Sequence, residues 1–419
     1  MTDNMKNTIK NNITNKTKKA VMYGAGNIGR GFIGQLLYES GYSTTFIDVD
    51  ESVIDTLNER HSYPLRILMR NVNSGAQNDI QTDILIEDVA AIHGRDIKAV
   101  ADAIANADLV ATAVGANVLP RIAPNISAGL AERCRHGGGP LDILVCENLS
   151  HAASYLRGLV REHFLKDAED TQDANDSNNA QDSEKAVAWL EWFETNIGFV
   201  DTSIGRMVPL QTPEMRDGDP LRICAEAYAS LPADKDAFRA GVPNLRGIVP
   251  YSPFAFYAQR KLYIHNMGHA LTAYCGARLG CEYIWQAISE PEVLRIVRAA
   301  MIASADALAK RYGGDAAELY AHVDDLLARF ADMRLGDTVY RVGRDTRRKL
   351  APEDRMVGAL RMCREAGVDT SSLTRGMALA IRFARAELDM QPEHILSEIC
   401  GINSDEPIYN EILARLEEG

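Results

Sequence analysis

The sequence has no run of about 18 consecutive apolar residues, so no membrane-spanning helix is expected from it. It also has no Cys-x-x-Cys pair. Its seven cysteines stand at 134, 146, 224, 275, 281, 363 and 400, an odd count without disulfide-framework or metal-finger spacing. That usage favours reduced thiols and a cytoplasmic location. Positive charge is in deficit, with 45 Lys+Arg against 58 Asp+Glu and a formal net charge of −13. The balance argues against nucleic acid or an anionic membrane as the main partner. Any anion the protein binds must therefore be met by a local basic pocket. The opening segment MTDNMKNTIKNNITNKTKK lacks the apolar stretch of a secretory signal and contains no arginine. Residues 1–18 are expected to form a disordered polar tail.

What is present is ordinary globular composition, 419 residues of which 46% are apolar and 25% charged, enough for two cores. The first apolar run, Ala20–Tyr23, leads straight into Gly24-Ala25-Gly26-Asn27-Ile28-Gly29. Helical spacing of Phe32, Ile33, Leu36 and Leu37 follows, then a second strand, Thr44–Ile47, ending at Asp48. Strand, glycine turn, helix and strand within about 30 residues make a βαβ unit. Further strands are expected at Leu109–Val114 and Ile143–Cys146. The fold class is thus α/β, an N-terminal Rossmann-like, doubly wound parallel sheet followed by a mostly α-helical C-terminal domain. Boundaries are placed at 19–209 and 210–419. Residues 167–184 carry seven acids and no Lys or Arg, and read as an acidic, flexible surface insertion between two helices.

Three segments carry chemistry. Gly24, Gly26 and Gly29 have the spacing at which a strand turns tightly into a helix whose N-terminus receives a pyrophosphate. Asp48, at the end of the next strand, suits ribose hydroxyls and repels an extra phosphate; Val49-Asp50-Glu51 offer no arginine to receive one. The cofactor this predicts is NAD. Asn148 lies just past a strand end, where its amide can donate to a developing oxyanion or serve as a turn residue or helix cap. In RKLYIHNMGHA, residues 260–270, an α-helix would put Lys261, His269 and Asn266 at roughly 0°, 80° and 140°, on one face. Such a lysine can trade protons in a dry pocket, or the residues can form a plain polar helix face. His265 and His269 form an i,i+4 pair, but no Glu follows the first and no third ligand is evident, so no metal is expected. Arg341, Arg344, Arg347, Arg348 and Lys349 crowd five cations around a single acid, Asp345. They form either an anion site or a solvated face.

Taken together, GAGNIGRGFIG, RHSY at 60–63, TAVG at 112–115, CEN at 146–148, GFVDTSIGRMVP at 198–209, RKLYIHNMGHA and RVGRDTRRKL at 341–350 make the chain resemble the polyol-specific long-chain dehydrogenases. The resemblance runs from about residue 19 to the C-terminus. It implies a metal-independent, NAD-dependent oxidoreductase acting on a small-molecule polyol or sugar phosphate, and a monomer. Lys261 is similar to the family's general acid/base, Asn148 and Asn266 to its oxyanion-stabilising amides, and His269 to its substrate-orienting residue. Gly24, Ala25, Gly26, Asn27, Ile28, Gly29, Asp48, Val114 and Gly115 correspond to cofactor contacts. Arg341 and Lys349 match positions that contact the polyol, and Arg344 and Arg348 resemble the phosphate-specific branch. That branch implies interconversion of mannitol 1-phosphate and fructose 6-phosphate. The alternatives are a non-phosphorylated polyol or hexuronate as substrate, or a non-catalytic NAD sensor. One departure stands out: where the family usually reads Val-Asp-Arg, this chain has Ile204-Gly205-Arg206.

Overall fold

The six strands of the main sheet, the one that leads into the glycine turn among them, all run the same way, which places every carboxyl end along one edge of the sheet. The computed structural model describes residues 18–69, 80–170 and 179–417. Eleven strands occur among them: β1 Lys18–Tyr23, β2 Tyr42–Asp48, β3 Ser62–Met69, β4 Ile80–Glu87, β5 Val89–His93, β6 Leu109–Thr112, β7 Leu141–Val145, β8 Ile197–Asp201, β9 Ile223–Glu226, β10 Leu231–Asp234 and β11 Ile248–Tyr251. The main sheet is parallel throughout in the order β5-β2-β1-β6-β7-β8. This is the doubly wound order, with its switch point between β1 and β6. In β1, Ala20 and Met22 face one core while Val21 and Tyr23 face the other. A parallel sheet covered on both faces has this reading, a continuous apolar run instead of alternation.

The chain divides after Phe254, so the expected boundary at 209/210 falls inside the first unit. The reason is pairing. β9 joins β3 in parallel, with Leu65 opposite Ile223, and β3 pairs antiparallel with β4. β10 pairs with β11, and Ala233 of β10 forms a bridge with Thr202, just past the end of β8. Strands of four residues are too short to show an alternation in sequence, yet they tie residues 210–254 to the nucleotide-fold unit. The tail expected over 1–18 lies outside the described residues except for Lys18, which opens β1. Residues 171–178 of the acidic insertion also lie outside them. Its flanks are helical, 167–170 closing helix Ala152–Asp170 and 179–184 opening helix Asn179–Asn196.

The second unit, Ala255–Gly419, is helical in its described residues. Helix Met267–Leu279 is buried on nearly all sides, as expected of a helix that is apolar around its circumference. Helices Pro291–Tyr312 and Ser371–Leu388 pack against it. Asp315 caps helix Ala316–Phe330 by accepting from the Ala317 amide at 2.8 Å, a bond of the kind that contributes about 1 kcal/mol. Among the described residues no helix is long and apolar enough to cross a membrane.

Candidate active site

In the first unit the site is made largely of backbone. Gly24 has φ of +104°, and a Cβ there would meet the Ala113 carbonyl oxygen at 2.5 Å. A Cβ on Gly29 would lie 1.9 Å from the Gly24 oxygen, so only glycine lets the helix close onto the turn. A Cβ on Gly26 would meet nothing within 4 Å. The space in front of Gly26 is open, as close approach of a ligand's phosphates to these amides requires. Arg30 locks the turn from behind, donating from Nε to the Ala25 oxygen at 2.6 Å and from Nη1 to the Leu221 oxygen at 2.5 Å.

Two carboxylates hold the surrounding loops. Asp48 Oδ2 accepts from the Ala25 amide at 2.6 Å, and Oδ1 from the Val49 amide at 2.7 Å and the Asp50 amide at 3.2 Å. A carboxylate has about four acceptor positions, so one remains for a ribose hydroxyl. Glu147, which the sequence reading did not single out, is buried and accepts from the Val114 amide at 2.9 Å and the Gly115 amide at 2.8 Å. It thereby fixes the 112–115 loop to the end of β7. Its sequence signal was an acid between Cys146 and Asn148 at a strand end. Gly24–Gly29, Asp48, Val114, Gly115 and the exposed Asn148 all follow the carboxyl ends of parallel strands, on one edge of the sheet. The residues present therefore fit a dinucleotide. The departure at Gly205 has a steric cause, since a Cβ there would lie 2.9 Å from Cε1 of the Tyr228 ring.

In the second unit the site is made of side chains. Lys261–Asn266 form a π-helical turn between helix Ala255–Arg260 and helix Met267–Leu279, and the Met267 amide donates to the Leu262 oxygen five residues back. This corrects the α-helical geometry expected for the segment. With i→i+5 bonding, five residues make about one turn, so Lys261 and Asn266 fall near one line along the axis. His265 is buried, and burial together with Arg329, His269, Lys261 and His322 pushes its imidazole well below the usual range. The His265 and His269 ring centroids are 6.4 Å apart. Among the described residues no three His, Cys, Asp or Glu side chains are grouped to hold a metal ion.

His269 stacks on Phe330, with centroids 4.9 Å apart and planes inclined by 15°, and its Nε2 lies 3.3 Å from Asp337 Oδ2. The other oxygen of Asp337 pairs with Arg341. Burial, followed by the charges of Arg341, Lys349, Arg355 and Arg329, holds the His269 imidazole well below its usual range, so it is neutral near pH 7. Phe330 and Asp337 were both missed in the sequence. Only the i,i+4 spacing from Asp337 to Arg341 could have drawn attention to the acid.

The basic cluster separates into different parts. Lys349 is buried, its ammonium donating to the Val342 oxygen at 2.7 Å and the Arg344 oxygen at 2.5 Å. Burial and the charges of Arg355 and Arg348 bring it down to about 8. Arg348 donates to Asp345 at 2.6 Å, and Arg347 lies against Met390 Sδ at 3.7 Å. Arg344 is exposed. Glu387 accepts from the Asp345 and Thr346 amides and the Thr346 hydroxyl, which braces the bend between the two short helices Val339–Gly343 and Thr346–Lys349.

Two family descriptions match this chain, a mannitol dehydrogenase Rossmann domain over residues 18–247 and a mannitol dehydrogenase C-terminal domain over 254–401. Among solved structures, a D-sorbitol dehydrogenase in substrate-free form is similar at a TM-score of 0.71 and 16% identity, over 96% of this chain and 93% of that one. A Pseudomonas fluorescens mannitol 2-dehydrogenase, solved as a ternary complex with NAD and D-mannitol, is similar at 0.68 and 16% identity, over 97% and 92%. At such identity the structures speak to the fold, while the two domain matches together span most of the sequence. The chain belongs to the mannitol dehydrogenase family.

Proposed function

We propose that this protein, an NAD-dependent polyol dehydrogenase by family, interconverts mannitol 1-phosphate and fructose 6-phosphate. Gly24–Gly29, Asp48, Val114 and Gly115 would hold the dinucleotide. When bound, NAD supplies the hydride acceptor of the oxidative direction. Lys261 takes the proton from the reacting hydroxyl, and the Asn266 amide donates to that oxygen as negative charge develops on it; Asn148 of the first unit is assigned the same oxyanion-stabilising role by the family resemblance. His269, neutral and held in plane by Phe330, orients the substrate.

The observation that carries the phosphate is the state of the 341–349 cluster. Arg341 and Arg348 are paired with carboxylates and Lys349 with backbone carbonyls. Arg344, exposed like Arg347, carries its charge close enough to join burial in holding the Arg341 guanidinium below its usual range, and is suited to a phosphate dianion. Steady-state rates with NADH and fructose 6-phosphate, fructose or tagaturonate test the reading. Fructose 6-phosphate is expected to be preferred by orders of magnitude in kcat/KM. Equal efficiency with fructose would leave a dehydrogenase of free polyols. Turnover of none would favour a sensor.

A further inference from the structure

We propose that Asp337 is a positioning residue that fixes the tautomer of His269, with the proton on Nε2 and the lone pair on Nδ1. The inference rests on the reading that His269 orients the substrate, and it adds in which sense it does so. An ionised carboxylate only accepts hydrogen bonds, and a neutral imidazole carries one N–H. With Nε2 at 3.3 Å from Asp337 Oδ2, two acceptors would face each other unless Nε2 holds the proton. Nδ1 is then an acceptor and takes a substrate O–H; it does not donate to a carbonyl oxygen. His269 thus recognises an alcohol at the position it contacts.

Asp337 is built for this work. Its side chain is 11% exposed and that of His269 19%. Its own carbonyl accepts from the Ile284 amide at 2.9 Å, and the next residue but one, Val339, donates to the Glu282 oxygen at 2.8 Å. Gly336 precedes it at φ +60°, and Thr338 caps the following helix by accepting from the Arg341 amide at 3.2 Å. The backbone is held on both sides. The second carboxylate oxygen pairs with Arg341, which keeps Asp337 ionised and in place. Phe330 sets the plane of the imidazole and Asp337 its rotation about that plane.

The test uses the full chain with ¹⁵N-labelled histidine, the His269 signals being assigned by their loss in His269→Gln. In the wild type, Nε2 is expected to give a protonated, pyrrole-type signal and Nδ1 a bare, pyridine-type one. Asp337→Ala should turn this into a mixture of tautomers, and Asp337→Glu should restore the single form in part. With fructose 6-phosphate, Asp337→Ala should lose about 10- to 100-fold in kcat/KM, the scale on which partners that orient a working histidine act. NADH affinity should hold, and the loss should vanish in a His269→Gln background. A wild-type His269 protonated at Nδ1, or signals unmoved by Asp337→Ala, overturns the proposal. So does an equal loss in the His269→Gln background, which would assign Asp337 to Arg341 alone. The wild-type spectrum, assigned with His269→Gln, needs no turnover, so a chain inactive on every polyol would sink the functional reading and still leave the tautomer decided.

Discussion

The two units build their functional surfaces from opposite materials. The first relies on main chain, with glycines, amides and strand ends braced by the carboxylates of Asp48 and Glu147. The second relies on ionisable side chains carried by helices and the turns between them, from Lys261 and the largely buried His269 and Asp337 to arginines at the surface. A backbone surface binds whatever shares a common phosphate-and-ribose geometry, and side-chain identity matters little beyond glycine and one acid. On the proposed function the side-chain surface does the chemistry and chooses the substrate, and each of its groups can be lost separately. The lesson is that cofactor binding and substrate choice should come apart under mutation.

Lys261→Ala sets the strongest test of that separation. Turnover should fall by roughly two to four orders of magnitude, the usual contribution of a general acid–base group. NADH affinity, measured by fluorescence titration, should stay within about twofold, well below the tenfold that ~1.4 kcal/mol would produce. A variant that also loses NADH would erase the distinction between the units.

Arg344→Ala sharpens the same comparison within the second unit. Losing one charge-assisted hydrogen bond of ~1.5–3 kcal/mol should raise KM for fructose 6-phosphate by about 10- to 100-fold. Weak activity on fructose should not change. An unaltered ratio of the two efficiencies would send Arg344 back to a solvated face.

In the first unit, two glycine substitutions should act through different routes. Gly26→Ala adds a methyl where nothing lies within 4 Å, so the melting temperature should hold while NADH affinity drops about tenfold or more. Gly29→Ala drives a methyl against the Gly24 oxygen and should destabilise by about 1–3 kcal/mol or more, an overpacking cost seen in thermal denaturation. Equal melting points for the two would contradict the turn geometry.

Acid should affect the units in opposite senses, with a smaller effect. His265 and His269 lie well below their usual range and His322 is brought down to about 3, in each case chiefly by burial. Below pH ~6.5 the unfolded chain takes up protons that these folded histidines refuse, so their contribution to stability is lost as pH falls. Burial raises the Asp142 and Asp201 carboxyls of the first unit, and protonation there favours the folded state as pH falls toward their range. Hydrogen exchange at pH 7 and pH 5, corrected for intrinsic rates, should show protection lost first in the second unit. His322→Gln should flatten part of that loss.

How much of this was legible in the sequence follows the same division. The glycine turn, Asp48 and the doubly wound sheet could be read because their signals are local: spacing, an apolar run and an acid at a strand end. Asn148 and Glu147 stood side by side in Cys146-Glu147-Asn148, yet only pairing of β7 with β6 shows that Glu147 reaches the 114 and 115 amides. The π-helical turn at Lys261–Asn266 escaped because the segment reads equally well at an α-helical period. The 209/210 boundary failed because β9, β10 and β11 are four residues each.

The amino-acid order by itself determined the class of the fold and the place of the glycine turn, and it supplied the proposals that Asp48 favours ribose over ribose phosphate and that Lys261 is the reacting lysine. These depend on residues within a turn or two of one another, where spacing alone sets geometry. Only the tertiary structure decided which of five neighbouring cations are paired with carboxylates, that Lys349 is buried and spent on two backbone carbonyls, and that His269 lies between Asp337 and Phe330. The physical reason is that charge and hydrogen-bonding capacity become specific only when burial removes water as the competing partner, and burial is a property of the packed chain.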